Sequence, residues 1–176
     1  MMVDDMVNKK TGHCTDVRMD SISFKKLLIV DAPASEVFEF WSEFRNFPKF
    51  IWLIESVEIL DKRRSRWIVK APLGKKVTFD SEITEFIKNN SIVWESHHYA
   101  VDSWGDIKFT EYHNGTRVDI MFGYAIKHSW VHRLAKIMNR LGFPSMTFDE
   151  GLSKIKDEIE SKNCQVHRSS VAVHTE

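Results

Sequence analysis

The side chains best suited to acid–base chemistry in this sequence lie together at residues 97–99. His97, His98 and Tyr99 are consecutive, and a histidine, whose ordinary pKa lies near neutral pH, can both accept and donate a proton. Adjacent residues of a strand point to opposite faces, so only one of the two imidazoles can face an interior. A structural or exposed role is the alternative for both histidines.

A second histidine pair has the spacing of metal ligands on a helix. His128 and His132 are four residues apart and would share one helix face. No cysteine or carboxylate at ligand spacing joins them, so a solvated surface is the favoured interpretation and we expect no metal or cofactor. Asp80 and Glu82 share the polar face of a strand, which argues against a catalytic carboxylate pair. The sequence therefore assigns no catalytic residue.

The elements that must position these residues are mostly strands. Short turns join nearly all of the alternating or apolar segments, which indicates antiparallel pairing. Seven strands are predicted, at residues 21–30, 57–60, 65–71, 75–88, 91–97, 106–112 and 116–125. The segment Asp31-Ala32-Pro33 starts a helix, since proline is favoured in a first turn. A short turn follows around Phe44 to Phe47, and Pro48 is expected to end it.

The segment from Ser129 to Lys162 predicts a long helix around which the strands curve. Its apolar residues recur every three or four positions and fall on one face. They are Trp130, Leu134, Ile137, Leu141, Phe148, Leu152, Ile155 and Ile159. Pro144 predicts a kink or break, and Thr147 with Glu150 is a candidate capping box for a restart. Residues 1–20 and 163–176 are predicted to be tails on a single domain of residues 21–162.

Composition limits the classes of function. The chain has 176 residues and a formal net charge of zero, so overall charge indicates no nucleic-acid partner. No apolar run reaches the length that spans a membrane, and residues 1–20 lack the apolar core of a signal peptide. Cys14 and Cys164 lie in the predicted tails and are expected to be reduced. These features predict a cytoplasmic protein that can still dock on a membrane from one side.

Several short stretches carry a resemblance to a known family. They are VDAPASEVF at residues 30–38, FPKF at 47–50, WIVKAPLG at 67–74, EIT at 82–84, IVW at 92–94 and GTRV at 115–118. They resemble the polyketide cyclase/dehydrase family of the START and Bet v 1-like (SRPBCC) superfamily. The resemblance spans roughly Phe24 to Ile159, and the relatives include coenzyme Q-binding START proteins, aromatic polyketide cyclases and a ribosome-association toxin. Residues 95–99 are bulkier than the family pattern.

The resemblance implies an α+β helix-grip fold with the order β-αα-β6-α. A curved, seven-stranded antiparallel sheet would surround the C-terminal helix and leave an apolar cavity between them. The predicted ligand-binding residues are Trp67, Val69, Phe79, Ile83, Trp94, Ile107, Phe109, Ile120 and Phe122 of the sheet, with Leu134, Met138 and Leu141 of the helix. Periodicity alone is equally satisfied by a filled core.

Three functions are compatible with these features. The leading hypothesis is non-enzymatic binding or transport of a hydrophobic small molecule, such as an isoprenoid quinone, a lipid or a polyketide. The first alternative is an aromatase/cyclase that uses His97 or His98 with Tyr99 or Tyr124 to dehydrate a polyketide. The second is a ribosome- or protein-interaction module.

A basic segment before the middle of the predicted helix adds a further expectation. Residues 127–140 contain Lys127, Arg133, Lys136 and Arg140 and no Asp or Glu. A basic amphipathic helix that opens with tryptophan is typical of membrane interfaces, which predicts transient contact with an anionic membrane surface. A solvated outer face on a core-packed helix is the alternative.

Overall fold

Seven strands, two short helices and one long helix make up the part of the chain that the computed structural model describes, residues 21–71, 74–99, 101–127 and 143–172. The strands are β1 (Ser21–Val30), β2 (Ile54–Ile59), β3 (Arg64–Lys70), β4 (Lys76–Ile87), β5 (Ser91–His97), β6 (Val101–Tyr112) and β7 (Gly115–Ile126). The helices are α1 (Ala34–Ser42), α2 (Phe47–Phe50) and α3 (Phe143–Ala172), with a 3₁₀ turn (Phe44–Asn46) before α2.

All neighbouring strands pair antiparallel in one sheet of order β1-β7-β6-β5-β4-β3-β2. β1 and β7 are distant in sequence but adjacent in the sheet, and β1 and β2 are its two edges. The sheet curls into a half-barrel around α3. The predicted α+β helix-grip architecture is confirmed. The first and fifth strands have the predicted limits, whereas β6 begins at Val101, five residues before the predicted start at Asp106.

The turns show how local chemistry fixes the hairpins. In the β2–β3 turn, Asp61 Oδ1 accepts hydrogen bonds from the backbone N–H groups of Arg63 and Arg64, each at 2.8 Å. In the β6–β7 hairpin, His113 has a φ of 52° and precedes Asn114 in the loop. Gly115, one residue before the predicted start of this strand, is the first residue of β7. A Cβ there would lie 2.3 Å from the carbonyl oxygen of Val30, so the position requires close backbone approach.

Two predicted helix limits are wrong. Pro48 lies in the first turn of α2 and does not end a helix, because a first-turn residue needs no amide hydrogen for the helix ladder. The long helix continues to Ala172, beyond its predicted end at Lys162. No glycine or proline interrupts residues 163–172, and Asn163 Nδ2 donates to the carbonyl oxygen of Asp31 at 2.9 Å. The predicted tail at residues 1–20 and the helix segment 129–142 lie outside the described residues.

The core lies between one face of the sheet, α1 and α3. Helix α1 buries Val37, Phe38 and Trp41, and α3 buries three residues of the predicted stripe, Leu152, Ile155 and Ile159. Each such side chain contributes about 1.5–3 kcal/mol on burial, so this stripe fixes α3 on the sheet. Polar contacts fix its position further. The Lys26 ammonium binds Asp149 at 2.6 Å, and Glu160 Oε1 accepts from the Asp31 N–H at 2.8 Å.

Candidate functional site

The face of the sheet that looks toward the helices, here called the concave face, is lined by alternate residues in direct register. Trp67 lies opposite Phe79 on β3 and β4, and Ile83 lies opposite Trp94 on β4 and β5. Further along, Phe122 of β7 lies opposite Gly105 of β6. The predicted strand-borne ligand residues therefore come together on one surface.

Burial divides these predicted residues into two groups. Ile107, Phe109 and Ile120 are at most 3 % exposed and belong to the filled core, whereas Ile83, 9 % exposed, lines a groove beside the β2–β3 turn. Five others are only partly buried and form the accessible part of the concave face, here called the aromatic wall. They are Trp67, Val69, Phe79, Trp94 and Phe122. The predicted helix residues Leu134, Met138 and Leu141 lie outside the described residues.

One glycine shapes the aromatic wall. A Cβ built on Gly105 would lie 2.0 Å from Cζ2 of Trp94, so the indole occupies the space in which any larger residue would stand. The ring therefore lies against the backbone of β6. Sequence reasoning placed Trp94 on the concave face but missed this contact, because it depends on the register between β5 and β6.

A row of hydroxyl groups crosses the concave face beside the aromatic wall. Ser65 lies opposite Ser81, and Ser96 opposite Ser103, which in turn lies opposite Tyr124 of β7. The four serines are 3–6 % exposed. Sequence reasoning missed this hydroxyl row as a site, although alternation places its members in phase with the apolar residues of their strands.

The serines of the hydroxyl row are bonded within the protein. Ser96 Oγ and Ser103 Oγ are 2.7 Å apart, and either can be the donor. Ser65 Oγ accepts the indole N–H of Trp67 at 2.8 Å. Ser81 Oγ lies 3.3 Å from the backbone oxygen of Glu95, to which it donates. The row thus contains hydrogen bonds between strands, together with hydroxyl protons that are not used in any of these bonds.

Tyr124 ends the row in a half-buried position. Its ring centroid lies 6.3 Å from that of Phe24 and 6.1 Å from that of Phe122. Burial raises the pKa of the phenol above its ordinary value of 10, because the anion would lose hydration. Tyr124 is therefore a neutral hydrogen-bond donor at physiological pH.

The consecutive histidines lie at the edge of this surface. His97 is 73 % exposed and lies 3.4 Å from Asp102 and 3.8 Å from Glu95. Tyr99 is 76 % exposed and its ring contacts that of His98, which is half-buried. His97 and Tyr99 thus face solvent. Of the residues named for the aromatase/cyclase alternative, Tyr124 is the proton donor that lies on the concave face.

An acidic centre beside the histidines ties the strands together. Asp102 Oδ1 lies 2.6 Å from the Lys127 ammonium and 3.3 Å from the His98 backbone nitrogen, which donates to it. Burial opposes ionisation of Asp102, but the bond and charge of Lys127 outweigh it and hold the pKa of this carboxyl below its usual value. On the opposite face of the sheet, Arg66 binds Asp80 through two bonds, of 2.7 and 3.0 Å. Asp80 thus lies on the polar face, as predicted from alternation.

Two surface grooves adjoin the domain without containing the aromatic wall. One of about 540 Å³ lies between α1 and α3 and includes three glutamates, Glu36, Glu39 and Glu43. The other, of about 300 Å³, lies beside the β2–β3 turn. Within the described ranges, no group of three or more His, Cys, Asp or Glu residues is arranged to hold a metal ion.

The sequence and fold together identify the family. Residues 30–147, more than half of the chain, match the family described as polyketide cyclase / dehydrase and lipid transport. The chain belongs to this family. Comparison of this polyketide cyclase/dehydrase family member with curated proteins gave no match.

Solved structures share the fold of this family member. A Deinococcus radiodurans protein is 24 % identical with a TM-score of 0.64, and the superposed region is 80 % of this chain and 98 % of that protein. A Thermus thermophilus protein is 20 % identical with a TM-score of 0.66, at 80 % and 99 % coverage. The di-domain ARO/CYC StfQ from the steffimycin biosynthetic pathway is 18 % identical with a TM-score of 0.62, and 81 % of this chain covers 51 % of StfQ. The link to coenzyme Q-binding proteins stays a prediction.

None of the helices in the described ranges of this family member combines sufficient length with sufficient apolar character to cross a bilayer.

Proposed function

We propose that this family member binds or transports a hydrophobic small molecule, such as an isoprenoid quinone, a lipid or a polyketide, on its concave face. The observation that carries the proposal is the aromatic wall. Its large rings face the helices but are only partly buried by the described residues, whereas the neighbouring Ile107, Phe109 and Ile120 are at most 3 % exposed.

A partly exposed aromatic surface has a physical reason to take up an apolar ligand. Covering apolar area contributes about 25 cal/mol per Å², and aromatic rings offer much of it at little cost in side-chain freedom. Apart from the hydroxyl row, the aromatic wall and its neighbours are mostly apolar, which is typical of a small-molecule site. Family membership supports the same class of ligand.

Mass spectrometry of gently extracted protein tests the proposal. We expect a hydrophobic molecule to copurify, and we expect added decylubiquinone, phospholipid or an aromatic polyketide to raise the melting temperature. A ligand-free mass together with no thermal shift from any of the three would contradict the proposal.

A second candidate function is that of an aromatase/cyclase. Tyr124 favours it, because a half-buried phenol that stays protonated can donate a proton to a leaving hydroxyl during dehydration. StfQ and the di-domain ARO/CYC BexL from the BE-7585A biosynthetic pathway have the same fold. Incubation with a poly-β-keto thioester should then give a cyclised product lighter by one water. Equal dehydration by wild type and Tyr124→Phe would contradict this role for the phenol.

Docking on an anionic membrane is proposed as the way in which a bilayer-borne ligand is reached. The basic residues between Lys127 and Arg140 support it, and each contributes about 1 kcal/mol near an anionic surface. Lys136→Glu with Arg140→Glu should reduce co-sedimentation with anionic vesicles, whereas Lys25→Glu with Lys108→Glu, on the outer face of the sheet, should not. Equal binding to neutral vesicles, or none at low salt, would contradict the proposal.

A further inference from the structure

Some hydroxyl protons of the row have no acceptor among the described residues. The pair formed by Ser96 and Ser103 contains two hydroxyl protons, and the 2.7 Å bond between the oxygens uses one of them. Neither serine makes another side-chain hydrogen bond within the described part of the chain. One proton of the pair is therefore left without an acceptor in the described ranges, in a position where both residues are at least 94 % buried.

Other donors on the interior side also lack an acceptor among the described residues. Ser65 Oγ accepts from Trp67 and keeps its own proton, and the Tyr124 hydroxyl makes no bond to a described residue. The indole N–H of Trp41, which is 2 % exposed, also has no partner among the described residues. A buried donor without an acceptor costs free energy, so these groups gain when an acceptor arrives.

Few charged groups compete for such an acceptor on the concave face. Asp80 lies on the opposite face with Arg66, and the one lysine that β1 turns inward, Lys26, is bound to Asp149. An anionic ligand would therefore lack a free cation near the hydroxyl row among the described side chains. Among the described side chains, one other buried atom lacks a partner, the acceptor Asp106 Oδ1. Asp106 follows Gly105 on β6 and therefore points to the outer face of the sheet.

We propose that the hydroxyl row selects a neutral ligand that carries an acceptor oxygen, as in a ketone, quinone or ester carbonyl, and that the Ser96–Ser103 pair and Tyr124 donate to it. This inference rests on the proposed function, since it assumes that an apolar ligand occupies the aromatic wall. Row and wall are adjacent: Ser96 and Trp94 are alternate residues of β5, and Tyr124 and Phe122 are alternate residues of β7. A ligand whose apolar part lies on the rings can thus place an oxygen at the row.

A purely structural role for the serine pair makes a different prediction. If the hydroxyls of Ser96 and Ser103 only join β5 to β6, their removal lowers the stability of the fold and changes the affinity for all ligands by the same factor. Ser81 provides the matched control, because it lies in the same row but already donates its only proton to the Glu95 carbonyl. Ser81→Ala removes a hydroxyl without removing a spare donor.

The test compares two probes with the same carbon skeleton, octanophenone and octylbenzene, which differ by a carbonyl oxygen. Titration calorimetry gives the ratio of their affinities for each variant, and this ratio cancels effects common to both probes. In Ser96→Ala/Ser103→Ala the relative affinity for the ketone should fall about fivefold, the equivalent of one ordinary hydrogen bond. Ser81→Ala should keep the wild-type ratio, and Tyr124→Phe should lower it.

The outcomes separate this inference from the proposed function. If wild type binds neither probe, hydrophobic binding itself is contradicted. If it binds both, and the ratio is the same in wild type, Ser96→Ala/Ser103→Ala and Tyr124→Phe, only the donor role of the row is overturned. The infrared carbonyl band of octanophenone bound to wild type gives a reading that needs no variant. A band at the position found in dry hydrocarbon would overturn the inference, and a shift to lower frequency supports it.

Discussion

The indole of Trp94 lies against Gly105, the residue directly opposite it on the next strand. A methyl group at Gly105 would enter the ring, so Gly105→Ala should force the indole off the sheet. Overpacking of this kind costs about 1–3 kcal/mol in the free energy of unfolding. In a Trp94→Ala background the same change should be close to neutral, because the ring is gone. Denaturant unfolding of the four proteins in this double-mutant cycle measures the coupling; additive effects would show that the two residues do not interact.

Trp94 itself should matter more for binding than for stability. Full burial would make Trp94→Ala cost about 3–5 kcal/mol, but the residue is only partly buried and the cost should be smaller. Affinity for decylubiquinone should fall, since the substitution removes a ring of the aromatic wall. Trp104→Ala, on the outer face of β6, is the matched control and should leave affinity unchanged. Wild-type stability and affinity in Trp94→Ala would refute the assignment of Trp94 to the site.

Asp61 makes the β2–β3 turn sensitive to strong acid. The Arg63 backbone N–H, then the Arg64 side chain and backbone, lower the pKa of this exposed carboxyl from 3.8 to about 2. Because the pKa of Asp61 is lower in the folded state, the ionised carboxyl stabilises the protein at pH values above the pKa of the unfolded chain. This stabilisation is lost as the pH falls from 3.8 toward 2. The stability difference between wild type and Asp61→Asn should therefore narrow over that window. A carboxyl-carbon NMR titration with a midpoint near 3.8 would contradict this account.

The C-terminal half of α3 should contain one part that is essential for the stability of the fold and one part that is dispensable for it. A chain that ends at Cys164 keeps Ile159, Glu160 and Asn163, so its melting temperature should stay close to that of wild type. A chain that ends at Asp157 loses Ile159, which is 3 % exposed, and should lose at least about 2 kcal/mol of unfolding free energy. Thermal unfolding of both chains checks this. A large loss in the longer chain would show that residues 165–176 pack on the domain.

Periodicity and turn chemistry predicted the strands, their antiparallel pairing and the long helix, and the family resemblance supplied the helix-grip architecture. Alternation identified the strands, and the three-to-four spacing of Leu152, Ile155 and Ile159 identified the buried face of the helix. The helix end could not be predicted, because the polar residues after Lys162 neither favour burial nor break a helix. Asn163, the first residue past the predicted end, donates a hydrogen bond to the carbonyl oxygen of Asp31, which is distant in sequence.

The candidate site was predicted less completely than the fold. Alternation correctly put Trp67, Trp94 and Phe122 on one face, but it cannot separate Phe109, in the filled core, from residues that remain accessible. That difference depends on where α1 packs. The hydroxyl row was missed because a serine at an inward position has no meaning until register shows that Ser96 faces Ser103.

Trp104 covers Gly123 on the outer face much as Trp94 covers Gly105 on the concave face, with a built Cβ 2.4 Å from the Trp104 ring. The two glycines are on adjacent strands, and each has α-protons held against an indole. Ring currents should therefore move the α-proton resonances of both glycines away from their ordinary positions in an NMR spectrum. A ligand on the concave face should perturb the Gly105 signals and leave those of Gly123 in place, so the sheet carries its own pair of reporter and reference nuclei.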